Sequence, residues 1–303
     1  MISTRESLQS LLHHLIDYAG LFPPAKLDMP TTVQNYASFL KTEDAWMLGR
    51  LILPIARLDE FDEHAADLLP RDPEGDPWTI SGITSPAVEH EAMMQDLDRI
   101  TLFNEKHEDA ANGLAKIDVI ELKANTPEDI DRALDVIQPE VFPFVEFPIS
   151  EDPRGLIATL AGGDAGAKVR TGGVTADLYP APEHVARFIA ACAGSDVPFK
   201  ATAGLHHPLR QYSETVQTKE FGFLNVFVAG CLAMAHELDV DVIQQILETE
   251  SLDVFKIEDD RINWRGHILS AEEIDELRED FATSFGSCSF DEPREDLRAL
   301  KLL

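Results

Sequence analysis

The sequence predicts an α/β fold, a (β/α)8 TIM-type barrel with a C-terminal helix-hairpin-helix appendage, and three observations predict it. From residue 46 onward one pattern repeats: a short apolar run rich in β-formers, a polar turn, then a segment of helical periodicity, as in the βα units of a parallel sheet. Six such units are clear, and one more at each side brings the count to eight, the number that closes such a barrel. Charged residues sit late in several of the apolar runs, at the strand ends where barrels of this kind carry their chemistry.

The opening unit is a strand at 15–22 followed by a helix at 31–41. Strands then follow at 47–54, 78–84, 118–123, 141–147, 167–171 and 198–203, with helices at 58–69, 88–106, 127–137, 152–161 and 182–193. The eighth strand is expected at 222–228, running into a helix through residue 238. Asn125-Thr126-Pro127-Glu128 supplies a cap and a first-turn proline for the helix at 127–137, and Gly162-Gly163 ends the next one. Residues 1–239 therefore form the barrel. Residues 240–303 leave the pattern, with a helix at 239–249, a hairpin at 254–268 turning at Glu258-Asp259-Asp260, a capping-box helix from Ser270 and a tail. This segment reads as an appendage packed on the barrel, with no linker to set it apart.

A chain of 303 residues, 44% hydrophobic and 26% charged, can bury one large core, which argues against disorder. Its longest apolar runs, 51–56 and 226–235, fall well short of the roughly 20 residues of a membrane span. The start, MISTRESLQSLLHHLID, lacks the apolar core and cleavage site of a secretory signal, so a cytoplasmic location is expected. Cys192, Cys231 and Cys288 are too scattered for a disulfide framework or a thiolate zinc site. A net charge of -30, from 55 acidic against 25 basic residues, repels nucleic acid and anionic membranes. The partner expected is a small anionic or carbonyl compound, and a homo-oligomer stays open. With ten lysines against fifteen arginines, the acidity fits either a surface kept soluble in high salt, a halophilic adaptation, or an ordinary acidic enzyme.

Four consecutive strands end in charge: Glu121-Leu122-Lys123, Glu146, Lys168-Val169-Arg170-Thr171-Gly172-Gly173 and Lys200-Ala201-Thr202-Ala203-Gly204. Alternation puts Glu121 with Lys123, Lys168 with Arg170, and Lys200 with Thr202 on faces that point into the barrel mouth. Each taken alone could simply end its strand in solvent. Two of only ten lysines inside apolar strand segments, however, require partners, because an unpaired buried ammonium is costly. Clustering Lys168, Arg170 and Lys200 beside Glu121 and Glu146 satisfies the charges, and like-charge repulsion with burial is expected to lower a lysine pKa and make a nucleophile.

Lys168-Val-Arg-Thr171-Gly172 resembles the Lys-x-x-Thr-Gly motif of deoxyribose-phosphate aldolases, and Phe199-Lys200 followed by Gly204 resembles their next lysine strand about 30 residues on. The resemblance covers residues 115–210. It implies Lys168 as the Schiff-base lysine, Lys200 as the group that depresses its pKa, and Glu121 in the place of a proton-transferring aspartate. The sequence departs from the motif in having Arg170 beside the reactive lysine and no Gly-Ser-rich phosphate loop in the stretch 221–229. Arg170 instead suits a carboxylate held by two parallel contacts, which points to a keto acid.

The leading reading is thus an aldolase-like lyase without a cofactor, with Lys168, Lys200, Glu121 and Glu146 as catalytic residues and Arg170, Lys123, Thr171, Asp17 and His206 around the substrate. A metal-assisted lyase or isomerase is the alternative, with a divalent ion held by His206, Glu146 and Glu121. A non-catalytic anion-binding barrel is the third. His13 and His14 read as surface or packing residues, Arg50 as a residue of the stability face, and Cys288 as structural because its acidic flank disfavours a thiolate.

Overall fold

The computed structural model describes residues 5–303. Eight parallel strands close a barrel: β1 (Ile16–Tyr18), β2 (Leu48–Pro54), β3 (Trp78–Ile83), β4 (Ala115–Lys123), β5 (Phe142–Glu146), β6 (Gly166–Arg170), β7 (Phe199–Thr202) and β13 (Ala282–Ser287). Around the barrel the order is β1-β13-β7-β6-β5-β4-β3-β2. After a lead-in helix α1 (Glu6–Leu12), the strands are followed by α2 (Met29–Phe39), α3 (Leu58–Ala65), α4 (His90–His107), α5 (Pro127–Leu134), α6 (Arg154–Leu160), α7 (Pro182–Gly194), α8 (Phe223–His236) and α11 (Asp291–Ala299). Asp28 and Thr126 cap α2 and α5 by accepting backbone N–H bonds, each just before a proline in the first turn.

The eighth unit corrects the sequence reading. The stretch expected as a strand at 222–228 is the start of helix α8, and the strand that closes the barrel is β13, inside the segment expected to be an appendage. Phe223-Leu-Asn-Val-Phe-Val reads as β-rich, yet it is helical and buried on all sides. It lies under β13 on one flank and under α9 (Val240–Leu247) and α10 (Ala271–Asp280) on others, and a helix covered all round has no polar stripe to announce its period. Phe223 stacks on Phe285 of β13 with ring centroids 5.4 Å apart, and Phe227 packs against the same ring at a tilt, 5.9 Å away.

Between α8 and β13 the chain inserts α9, a three-stranded antiparallel sheet of β10 (Phe255–Ile257), β11 (Arg261–Trp264) and β12 (His267–Ser270), and α10. The turn between β10 and β11 falls at residues 258–260, and Ser270 and Glu273 form the reciprocal capping box at the start of α10, as the sequence signals. A second hairpin, β8 (Gln211–Ser213) with β9 (Thr218–Glu220), lies between β7 and α8.

Arg278 of α10 ties the insertion to the barrel base. Its buried guanidinium donates to the carbonyls of Leu11 (2.8 Å), His13 (3.2 Å), Ala282 and Thr283, joining the end of α1 to the start of β13. Burial without a carboxylate partner pushes its pKa down to about 10. No helix among the described residues is long and apolar enough to cross a membrane.

Candidate active site

The register of the parallel strands lines up Glu146, Lys168 and Lys200 across β5, β6 and β7, and pairs Lys123 of β4 with Glu146. The side chains of Glu146, Lys168 and Lys200 turn into the barrel, where taking an ion from water costs several kcal/mol unless it is paired. Each is paired. Lys200 Nζ lies 2.5 Å from Asp17 Oδ2 and 2.7 Å from Glu121 Oε1, while Lys168 Nζ lies 2.6 Å from Glu121 Oε2 and 2.7 Å from Glu146 Oε2. Arg170 Nε completes the line at 3.3 Å from Glu146 Oε1. Three carboxylates and three cations therefore alternate from Asp17 to Arg170, with Glu121 shared between the two lysines.

Hydroxyls and backbone complete the pairing. Ser81 of β3 donates to Glu121 Oε1 (2.8 Å) and Ser284 of β13 donates to Asp17 Oδ2 (2.8 Å), while Asp17 Oδ1 accepts the Arg50 N–H (2.6 Å). That last contact needs Gly49, because a Cβ there would stand 2.2 Å from Asp17 Oδ1.

Above this network, at the C-terminal ends of the strands, lies a cavity of about 490 Å³. Glu121, Glu146 and Lys168 form its floor, Lys123 and Arg170 line one side, and Ala19, Phe22, Pro23, Pro24, Ile52 and Ile83 line the other. Gly172 and Gly204 let the ends of β6 and β7 approach beside it, since a Cβ on either would stand 2.9 Å from the other's Cα. His206 and Cys288 also reach the cavity. Burial raises the Cys288 thiol's pKa, which keeps it in the neutral form.

Burial works against charge on Glu121, Glu146 and Lys168, and the ion pairs outweigh it. Lys168 and Lys200 hold Glu121 far below the usual carboxylate range, Lys168 and Arg170 do the same more mildly for Glu146, and the two glutamates raise Lys168 above the usual lysine value. This corrects the expected lowered lysine pKa: Lys168 meets carboxylates on two sides, and Glu121 stands between the two lysines.

Of the residues singled out by sequence, Glu121, Glu146, Lys168, Arg170, Lys123 and His206 line the cavity. Three do not. Asp17 and Lys200 are buried beneath the floor as counter-ions, and Thr171 is spent fastening strand ends, donating its hydroxyl to the Ala203 carbonyl at 2.6 Å. His206 turns its Nδ1 toward Glu292 of α11 at 3.2 Å, and His207 sits 2.5 Å from Asp296 on the same helix. The expected metal set of His206, Glu146 and Glu121 is not assembled: among the described residues no three His, Cys, Asp or Glu side chains converge to hold an ion. Ser81, Ser284 and the apolar wall escaped the sequence reading.

A second cavity, of about 690 Å³, opens at the N-terminal base between α1, α10 and the strand starts. Lys200 marks its inner end, and Arg50 within it is clamped by Asp118 through two bonds of 2.8 Å.

The fold and network define a (β/α)8 barrel with a charged floor under its C-terminal mouth. No family model matches the chain, that of the deoxyribose-phosphate aldolases included, and no curated protein matches it. Among solved structures, a malate synthase from Haloferax volcanii is similar at 12% identity over 94% of this chain and 78% of its own, with a TM-score of 0.41.

Proposed function

We propose that this barrel is an aldolase-like carbon–carbon lyase acting on a small anionic carbonyl compound at the C-terminal mouth. One observation carries the reading: Lys168 Nζ lies at the cavity floor between Glu121 and Glu146, with Arg170 beside it and turned to the opening. An anionic substrate that recruits Arg170 removes a cation from Glu146, which makes Glu146 a stronger base toward the Lys168 ammonium. Glu146 takes the proton, the free amine adds to the carbonyl carbon, and loss of water leaves a protonated imine on Lys168. The imine then accepts the electron pair of the adjacent carbon–carbon bond as it breaks, while a carboxylate removes the proton from the departing hydroxyl-bearing fragment. Lys200 stays a fixed charge that keeps Glu121 ionised.

The raised pKa of Lys168 favours a second reading, in which the ammonium stays charged and stabilises a developing oxyanion without a covalent bond. Intact-mass measurement after incubation with aldehydes and 2-oxo acids plus borohydride, followed by peptide mapping, separates the two. An adduct on Lys168, absent in Lys168→Arg, is the expected result. Turnover without any lysine adduct selects the second reading. Binding with neither adduct nor turnover leaves an anion-binding barrel.

A further inference from the structure

The cavity is divided by strand, and we infer that its ligand is a 2-oxo acid with a sizeable apolar tail, branched aliphatic or aromatic, and neither a two-carbon acid nor a sugar phosphate. This rests on the reading of the mouth as a site for an anionic carbonyl compound. Its polar half is contiguous, built from the ends of β4, β5 and β6, where Lys123 and Arg170 flank Glu146. The opposite half is contiguous too. Phe22 follows β1, Ile52 lies two residues before the end of β2 and Ile83 ends β3; none of these side chains offers a hydrogen bond, and the Thr84 hydroxyl beside them donates to the Ser85 carbonyl at 3.0 Å. A carboxylate held at Arg170 with its carbonyl at Lys168 therefore points the rest of the molecule at a predominantly hydrocarbon surface.

Size argues the same way. A cavity of about 490 Å³ falls in the range of sites that enclose larger ligands, and a two- or three-carbon acid held at Arg170 would leave the apolar wall facing water.

The test is calorimetric titration of the whole protein with glyoxylate, pyruvate, 2-oxobutanoate, 2-oxo-4-methylpentanoate and phenylpyruvate, and with a pentose phosphate. Affinity is expected to rise about fourfold for each added methylene that reaches the wall, and the rise is expected to flatten in Phe22→Ser and Ile83→Thr. Equal affinity along the series, tighter binding of the sugar phosphate, or no binding of any of the acids overturns the inference. Because binding is read without turnover, a missing Lys168 adduct would defeat the Schiff-base reading and leave this one standing.

Discussion

The barrel has two cavities, one at each end, and the larger is at the base. What separates them is the state of their charges. At the base Arg50 is locked to Asp118, Arg278 is committed to main-chain carbonyls and Lys200 is enclosed by Asp17 and Glu121. At the mouth Arg170 touches Glu146 with one nitrogen and keeps a half-open guanidinium, and Lys123 is exposed. Volume alone would choose the base. Spare bonding capacity chooses the end where barrels of this class bind their ligands, and the lesson is to ask of each charge what it still has free.

Substitutions can break the comparison, and the largest effect is expected below the floor. Lys200→Met strips a cation from two buried carboxylates and should cost about 3–5 kcal/mol of stability, read by urea unfolding; a loss under about 1 kcal/mol would mean that the network is not ionised. Arg278→Met at the base should cost about 2–3 kcal/mol by leaving buried carbonyls without donors, while the protein that remains folded still binds anions at the mouth. Weaker anion binding in folded Arg278→Met would show that the two ends are coupled. Arg170→Gln should do the opposite, changing stability by less than about 1 kcal/mol because the pair is half-exposed, yet lowering anion affinity about tenfold.

Acidity sharpens the contrast further. Glu121 and Glu146 are depressed, so their stabilisation is present above the ordinary glutamate value of 4.5 and is lost as pH falls through their lower folded values. Lys168 is raised, so its contribution is present below 10.5 and is lost as pH climbs past its folded value. Urea midpoints should therefore hold level between those limits, and borohydride trapping at Lys168 should speed up toward alkaline pH as the free amine becomes more abundant. Trapping independent of pH would contradict the ion-paired lysine. The smallest effect per charge is that of salt: with a net charge of -30, the melting temperature should rise with KCl, and a flat profile to molar salt would remove the halophilic reading.

Seven of the eight barrel strands were legible because each alternates or runs apolar between turn residues, and the charged strand ends were legible because a lysine in such a run needs a counter-ion. The eighth was not. Ala282-Thr-Ser-Phe-Gly-Ser is short of bulky β-formers because its inner positions are already taken up: Ser284 serves Asp17, and Gly286 leaves room for Ile52 within 2.9 Å of where a Cβ would lie. Asp17 was read as a ligand-facing residue, and its true partner, Lys200, is 183 positions away, a pairing that spacing cannot reveal.

The late position of β13 also sets an order of events. Ile16 can pair with Phe285, and Asp17 can take the Ser284 hydroxyl 267 positions onward, only after β13 has been synthesised. Until then the emerging chain holds β7 with an open edge and Asp17 without the Ser284 hydroxyl. Closure across so long a separation is intrinsically slow, and an unsealed sheet edge is exposed to wrong pairing. A nascent chain stalled before residue 282 would thus hold seven of the eight strands and all six charges of the network around an open seam, and the final strand acts as the latch that seals it.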